Sequence, residues 1–571
     1  MVAVGAPAAI LVSLLISGYL AEAFQGSEWV SPCSSEYFAD IIPEGAVVES
    51  VQNVISGIYV ERGNLGYPTA AAGLPPLCAV IIRNSTANYR FGMFLPDTWN
   101  SKLLVVGNGA FLGGINWLDM GPGPKFGMAS LSTDTGHNSG SGDQTWANTD
   151  EKKTNWAYRA LEGSTVLGKI LIRAYYDETP IAYTYYSGCS TGGRQGLKQI
   201  QRDPNIFDGA LIGAPAWDTK HLMPWISKLA VWNLPEDGPH AINNASLFQR
   251  LQAEVVAQCD DLDDVHDNIV SAPDLCQEHF NITKLRCDVT SNHTACWTQA
   301  QIETAQKMYS DYVIESVEGP GGNGVLVYKG LTHSSEAEWT TYHLPIAEDE
   351  AGNVRRNFDA QYERYFMNYG ADWPITAYND SVADDSRRLD SHGRDSATAD
   401  QYADLEAFRR RGGKVILYGG LADGLVPVRH TTLYYERTAE RITGSIEGDI
   451  TDFFRYFQIP GMGHCRGSRD NVKAPWMIGG ASQAALLPPY NAGFSVPLGF
   501  NDSRHDALLA LMEWVERGNA PSEIIASEFN FTNPERQSIT LYRQRPICVY
   551  PRKAVWDRTG AQDDASSWSC R

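Results

Sequence analysis

The chain has 571 residues, with Lys plus Arg 46 and Asp plus Glu 67, so its formal net charge is −21. A surface this acidic repels polyphosphates and anionic bilayers, which argues against nucleic acid or a membrane surface as a partner. The composition, 43% hydrophobic and 11% aromatic, is that of a globular chain with one large domain carrying an insertion, or two or three smaller domains.

Residues 1–23 end in the apolar run "LISGYLAEA", closing on Ala21-Glu22-Ala23. The small-x-small ending predicts a secretory signal peptide, although no positive charge precedes the run. An uncleaved anchor is the competing reading, and Pro7 and Gly18 count against it because they interrupt an already short run. Asn84, Asn244, Asn281, Asn292, Asn379, Asn501 and Asn530 each begin an N-x-Ser/Thr sequon, as expected of a glycosylated extracellular chain with no membrane contact after cleavage. The cysteines number ten, an even count that suits an oxidised framework. None is arranged as two CxxC pairs, which removes structural zinc from consideration.

From about residue 80 to 216 the pattern is α/β. "YRFGMFL" and "LLVVGNG" read as strands, the second ending in a Gly-rich turn. Residues 156–177 carry Trp156, Leu161, Val166 and Leu171 at helical spacing. "AYTYYSG" is a strand running straight into a helical "GGRQGLKQIQRD", and "GALIGAPA" is a further strand with a turn. A second such block spans about 402–520, with "KVILYGG" and "FFRYFQI" as strands. "SRHDALLALMEWVERG" is predicted as a helix with Ser503 as N-cap and Gly518 just past its end. Strands alternating with helices imply a mostly parallel sheet covered on both faces. Residues 217–401 break that rhythm with four cysteines, an Asp cluster and the polar run "VADDSRRLDSHGRDSATAD". This segment is expected to be an insertion at the carboxyl edge of the sheet, covering a ligand crevice as a lid. Surface decoration is the alternative. The resulting division is 24–216 with 402–571 as one domain and 217–401 as the lid.

Gly188-Cys189-Ser190-Thr191-Gly192 matches G-x-S-x-G. Small residues there permit a sharp strand-to-helix turn that exposes the serine hydroxyl, and the following helix N-terminus favours negative charge. A Gly-rich phosphate loop is excluded by the lack of a following Lys-Ser/Thr. A nucleophilic serine needs a base and a carboxylate to orient it, in the chain order Ser, Asp, His for this class. Asp423 in "KVILYGGLADGLVP" and His464 in "FFRYFQIPGMGHCRG" both fall in loops after strands, at the same sheet edge as Ser190. His505 and His430 compete but read as cap or surface residues. The oxyanion hole is expected to use the amide of Thr191 and a second amide from "LLVVGNGAFLGG", that of Gly109 or Ala110. Cys189 precedes the serine and Cys465 follows the histidine. If the triad assembles, the two cysteines meet at one site and oxidise in a secreted chain.

These residues resemble the tannase and feruloyl esterase family of α/β-hydrolases, whose signature is Cys-Ser, then Asp, then His-Cys with the cysteines bonded. The resemblance extends through "GCSTGGRQG", "GAPA", "ADGLVP" and "PGMGHC" over nearly all the mature chain. It implies an α/β-hydrolase fold with a large inserted lid domain. It also implies a calcium site in the lid, matched by "CDDLDDVHDNIVSAPDLC", where Asp260, Asp263, Val265, Asp267 and Ile269 take the ligand positions. Three carboxylates and two backbone carbonyls suit a hard cation. The family's usual glycines are Asp264 and Asn268 here, residue types that tolerate the left-handed conformation. Cys259 and Cys276 flank the loop and can close it. Nearness and the resemblance pair Cys33 with Cys78, Cys287 with Cys296 and Cys548 with Cys570.

The resemblance further implies a secreted carboxylic ester hydrolase acting on phenolic acid esters, with the lid's aromatics holding the ring and no organic cofactor. The lid lacks a long insertion, which favours feruloyl or other hydroxycinnamoyl esters, free or on plant cell-wall polysaccharide. Galloyl esters and terephthalate monoesters are the alternatives within the family. A non-catalytic binding protein on the same fold is the alternative from another class, and the retained serine and histidine count against it.

Overall fold

The computed structural model describes residues 32–287, 296–314, 324–343, 347–348, 354–355, 360–391, 393–469, 472–486, 500–533 and 538–571. The predicted signal segment and the Asn292 sequon lie outside them. Nine strands form the central sheet: β1 (Ala46–Val54), β2 (Leu77–Asn84), β3 (Tyr89–Pro96), β4 (Lys102–Val106), β5 (Ala129–Thr133), β6 (Tyr183–Cys189), β7 (Gly209–Gly213), β8 (Lys414–Gly420) and β9 (Phe454–Ile459). Their spatial order is β1-β2-β3-β5-β4-β6-β7-β8-β9. From β5 to β9 every neighbouring pair is parallel, whereas β1, β2 and β3 join antiparallel at one edge. The sheet is thus mostly parallel, as expected, with an antiparallel edge. Of the antiparallel strands, β2 and β3 are joined by a short turn between Asn84 and Tyr89, whereas helical crossovers join the parallel strands β4 to β5, β5 to β6, β6 to β7 and β8 to β9.

Side chains alternate across the sheet, so each face builds its own core. One face buries Leu104, Val106, Tyr185, Ile416 and Phe457 against helix Ala507–Arg517 and a C-terminal hairpin. The other buries Leu103, Val105, Tyr186, Ile212 and Leu417 against α1 (Ala160–Tyr175), α2 (Thr191–Arg202) and helix Val428–Thr443. The C-terminal helix begins later than the sequence implies. Its N-cap is Asp506, whose Oδ1 accepts the amides of Leu508 and Leu509, and not Ser503. Asp502 has already closed a tight turn on the amides of Arg504 and His505, which leaves Ser503 inside that turn. Gly518 ends the helix in the left-handed conformation, as expected.

Between β7 and β8 the chain leaves the sheet. It forms α3 (Thr219–Val231), α4 (Ala245–Cys259), α5 (Gln299–Tyr309), α6 (Glu336–Tyr342) and α7 (Ser381–Leu389). These helices bury Trp225, Phe248, Trp297, Tyr328 and Trp339 in a third core. That core takes in Phe111, Trp156, Leu425 and Val426 from loops beyond β4 and β8 and from the start of the α1 segment. The inserted segment is thus seated on the carboxyl edge of the sheet, where ligands of open α/β sheets bind.

The disulfides are Cys33–Cys78, Cys189–Cys465, Cys259–Cys276, Cys287–Cys296 and Cys548–Cys570, leaving no free cysteine. Asn244, Asn281, Asn379 and Asn501 are exposed, while Asn84 and Asn530 are partly buried. Among the described residues no helix is long and apolar enough to cross a membrane.

Candidate active site

Strand β6 ends at Cys189 and helix α2 starts at Thr191, so a single residue, Ser190, makes the whole turn. Its φ of 62° and ψ of −126° lie where side-chain-bearing residues are strained. The turn is held by its own backbone: Ser190 N–H donates to Gly213 O, and Ser190 O accepts from Arg194 and Ala216, each at 3.0 Å. Two glycines make the crowding possible. A Cβ on Gly188 would lie 2.6 Å from Gly192 O, and one on Gly193 would lie 2.5 Å from Gly213 O.

Ser190 Oγ is 2.9 Å from His464 Nε2, and His464 Nδ1 is 2.8 Å from Asp423 Oδ2. The other oxygen of Asp423 accepts the amides of Leu425 and Val426, at 2.9 and 2.8 Å, so the carboxylate cannot swing away. Asp423 is 1% exposed and the His464 side chain 8%. Burial disfavours the His464 imidazolium. The charge of Asp423, its hydrogen bond and the charge of Glu338 together outweigh that, and the pKa rises above the usual 6.5. The three side chains that the sequence singled out from loops far apart thus form one hydrogen-bonded chain. The competing histidines stand elsewhere. His505 stacks on Phe500 and bonds Asp502, and His430 is buried between Trp217 and Tyr328 beside Asp218.

Such a chain can take a proton from the serine hydroxyl and stabilise the imidazolium that results. Thr191 opens α2, so its amide belongs to the first turn, where N–H groups have no intrahelical acceptor. The Gly109 amide departs from expectation. Its N–H is not free but donates to Tyr67 Oη at 2.7 Å, because the Tyr67 segment crosses the cleft beside the loop. That loop is otherwise fixed. Asn108 N–H donates to Gln195 Oε1 of α2, and Asn108 Nδ2 donates to Gly114 O and Thr133 O.

Ser190 and His464 open onto a cleft of about 750 Å³, whose walls include Tyr67, Asp119, Tyr342 and Arg466. A second, much smaller space on the far side of Ser190, about 30 Å³, is lined by Phe111, Trp156, Met223 and Ile226. Among the described residues the inserted segment's aromatics mostly fill its own core, and Tyr342 is the one that lines the cleft. Tyr67, Asp119, Glu338 and Tyr342 lie in stretches without a motif, so no local pattern marks them. Arg466 alone carried a signal, adjacency to His464-Cys465.

Cys189 and Cys465 bond with Cα atoms 6.0 Å apart, bridging the serine turn to the histidine loop across 276 residues of sequence.

At the acidic loop, Asp264 and Asn268 have φ of 65° and 63°, the left-handed geometry expected where the resemblance has glycine. Asp263 Oδ1 accepts Val265 N–H and Asp267 Oδ1 accepts Ile269 N–H. Burial pushes the Asp263 carboxyl up to about 6, and burial with the charge of Asp267 raises Asp260. Asp260 is 3% exposed, and its Oδ2 makes no well-formed hydrogen bond although His266 Nδ1 lies 3.0 Å away. Asp267 differs from expectation: its Oδ2 is paired with the buried Arg545 guanidinium. Among the described residues one group of three acidic or imidazole donors has its ligand atoms within 4.8 Å of one another, Asp260, Asp261 and His266. A turn of this shape, with crowded acidic groups and an orphaned carboxylate oxygen, fits a hard divalent cation. Arg545 supplies part of the positive charge.

A family model described as "Tannase and feruloyl esterase" matches residues 78–571. The probable feruloyl esterase B-1 of Aspergillus flavus is 30% identical over 502 residues, covering 86% of each chain. The solved structure of an esterase from Aspergillus oryzae superposes with a TM-score of 0.80 at 27% identity, over 95% of this chain and 99% of that one. That of feruloyl esterase B from the same organism gives 0.79 at 26% identity with the same coverage.

Proposed function

The chain belongs to the tannase and feruloyl esterase family, and from that premise we propose that it hydrolyses hydroxycinnamoyl esters of the feruloyl type through Ser190, His464 and Asp423. It is a carboxylic ester hydrolase, and the observation that carries the reading is the unbroken hydrogen-bonded chain from Asp423 through His464 to Ser190 at the floor of the cleft. His464 Nε2 takes the Ser190 proton as Oγ attacks the ester carbonyl. Negative charge moves to the carbonyl oxygen, beside the Thr191 amide and the positive end of α2. Gly109 joins as a second donor once the Tyr67 hydroxyl yields its amide. When the tetrahedral intermediate collapses, His464 returns the proton to the departing alcohol. His464 then deprotonates water, which attacks the acyl-serine ester and releases the acid and Ser190. Asp423 fixes the Nδ1–H tautomer throughout and stays ionised.

The feruloyl preference rests on the relatives' names, feruloyl esterase B, and on the compact inserted segment. Kinetics on methyl ferulate and methyl gallate, with wild type and Ser190→Ala in the same assay, test it. Methyl ferulate is expected to give the higher kcat/KM and Ser190→Ala only background. Turnover of the gallate alone moves the chain to the tannase side of the family. A folded wild type that turns over neither ester and resists fluorophosphonate labelling is a binding protein instead.

Calcium is proposed as a structural cation of the acidic loop, held by Asp260, Asp263, Asp267 and the carbonyls of Val265 and Ile269. It would neutralise carboxylates that burial crowds together and would contribute no catalytic step. The disulfides, the sequons and the apolar N-terminal run support secretion through the extracellular route.

A further inference from the structure

Glu338 is a carboxylate that the mechanism does not use, yet it lines the cleft beside the triad. It sits on α6 of the inserted segment and reaches both loops that carry the base and its orienting acid. Its Oε2 accepts the amide of Gly424, the residue after Asp423, at 2.8 Å. Both of its oxygens accept the amide of His464 itself, at 3.0 and 2.9 Å. Neighbouring contacts tighten the grip. His343 Nε2 bonds Gly424 O at 2.8 Å, and Ser334 Oγ donates to Leu421 O at 3.2 Å. The loops leave no space between themselves and this side chain. A Cβ on Gly463 would lie 2.2 Å from Glu338 Oε1, and one on Gly424 would lie 2.7 Å from Glu338 Cβ. Among the described residues no lysine or arginine forms an ion pair with it.

We propose that Glu338 is a positioning residue of the esterase: one carboxylate from the inserted segment clamps the Asp423 and His464 loops to each other. The inference rests on the serine-esterase reading above. It makes the α6 portion of the insertion part of the frame of the triad rather than a cover over it. A backbone clamp acts on the geometry of proton transfer, where small displacements are heavily penalised. A negative group beside an imidazole favours its protonated form. The groups facing His464 are Asp423, Glu338, Arg466 and the edge-on ring of Tyr342. The groups facing Glu338 are Asp423, His464 and Tyr342. Burial and the Asp423 charge push the Glu338 carboxyl up, and its two amide donors oppose that rise. The clamp therefore gains its negative charge at a pH above the usual carboxylate range.

The test compares Glu338→Gln and Glu338→Ala with wild type in pH profiles of kcat and KM on one ester, with Ser190→Ala as control. Melting temperature and the Cys189–Cys465 bond are checked in each. The Gln carbonyl can still accept both amides, so Glu338→Gln is expected to keep kcat within about threefold and to move the acid limb of kcat/KM to lower pH. Glu338→Ala loses the clamp, and its kcat is expected to fall about ten- to a hundredfold with KM within about threefold. A folded Glu338→Ala with wild-type kcat, or a folded Glu338→Gln whose acid limb coincides with that of wild type, overturns the proposal. If Glu338→Ala does not fold, Glu338→Gln alone decides it. Turnover that survives Ser190→Ala overturns the esterase reading instead, so the two failures are distinguishable.

Discussion

Ser190 occupies a backbone conformation that costs of order 1–3 kcal/mol and is tolerated because Gly213, Arg194 and Ala216 fix the turn from three sides. The strain lifts Oγ out of the backbone bonding around it and hands it to His464. Two consequences are measurable. The pKa of His464 is raised by Asp423 and Glu338 against the effect of burial, and the base works only when neutral. Activity should therefore fall as pH drops through a value above 6.5, readable as the acid limb of kcat/KM in the free enzyme. Asp423→Asn should reduce kcat on the order of 10³–10⁴-fold, the penalty of an amide that lets the imidazole adopt the wrong tautomer. Its KM should change little, because Asp423 is buried behind His464 and touches no substrate. Chain order and strand ends made all three of these residues legible in the sequence. Tyr67 and Glu338 were not legible, because their roles consist of meeting backbone amides from remote segments.

The elements that matter most are two loops and the bond between them. Cys189 closes β6 and Cys465 follows the histidine, with a backbone φ of 67° at Cys465. The bridge restricts a loop of 276 residues in the unfolded chain, which in the chain-entropy account corresponds to about 5.6 kcal/mol, somewhat above what disulfides usually deliver. A Cys189→Ala, Cys465→Ala double variant should lose melting temperature, and in its folded fraction kcat should fall more than KM rises, because Ser190 and His464 are no longer held in register. Unchanged activity in a well-folded double variant removes that role from the bridge. The acidic loop is coupled to the same region. Ile269 packs with Val472 and Ala474 and lies against Gly461, on the segment that carries His464. Ser503 and Asp506 are both good caps by residue type, and the turn on Asp502 decided between them.

At the scale of the molecule, two sheet faces and a third core under the inserted helices give three packed regions. The inserted one is interrupted by acidic groups at residues 260–267. If calcium binds there, it favours the folded state by mass action. Hundredfold saturation corresponds to about 2.7 kcal/mol. Excess chelator should lower the melting temperature, added calcium should restore it, and Asp260→Asn should remove the response. A melting curve indifferent to chelator and calcium leaves the Arg545 and Arg543 guanidiniums as the counter-charges to Asp267 and ends the cation reading.

The sequence by itself determined the α/β alternation, the inserted segment, the serine turn and the order of the three active-site side chains. Those features are written in local patterns: period-two and period-3.6 hydrophobicity, glycines where a turn admits no Cβ, and loops after strands. The antiparallel edge of the sheet, the engagement of the Gly109 amide by Tyr67, the pairing of Asp267 with Arg545 and the clamp of Glu338 on His464 were decided only by the tertiary structure. Each is a contact between segments far apart in the chain, where backbone donors and buried charges must find partners, and no local pattern encodes which partner arrives.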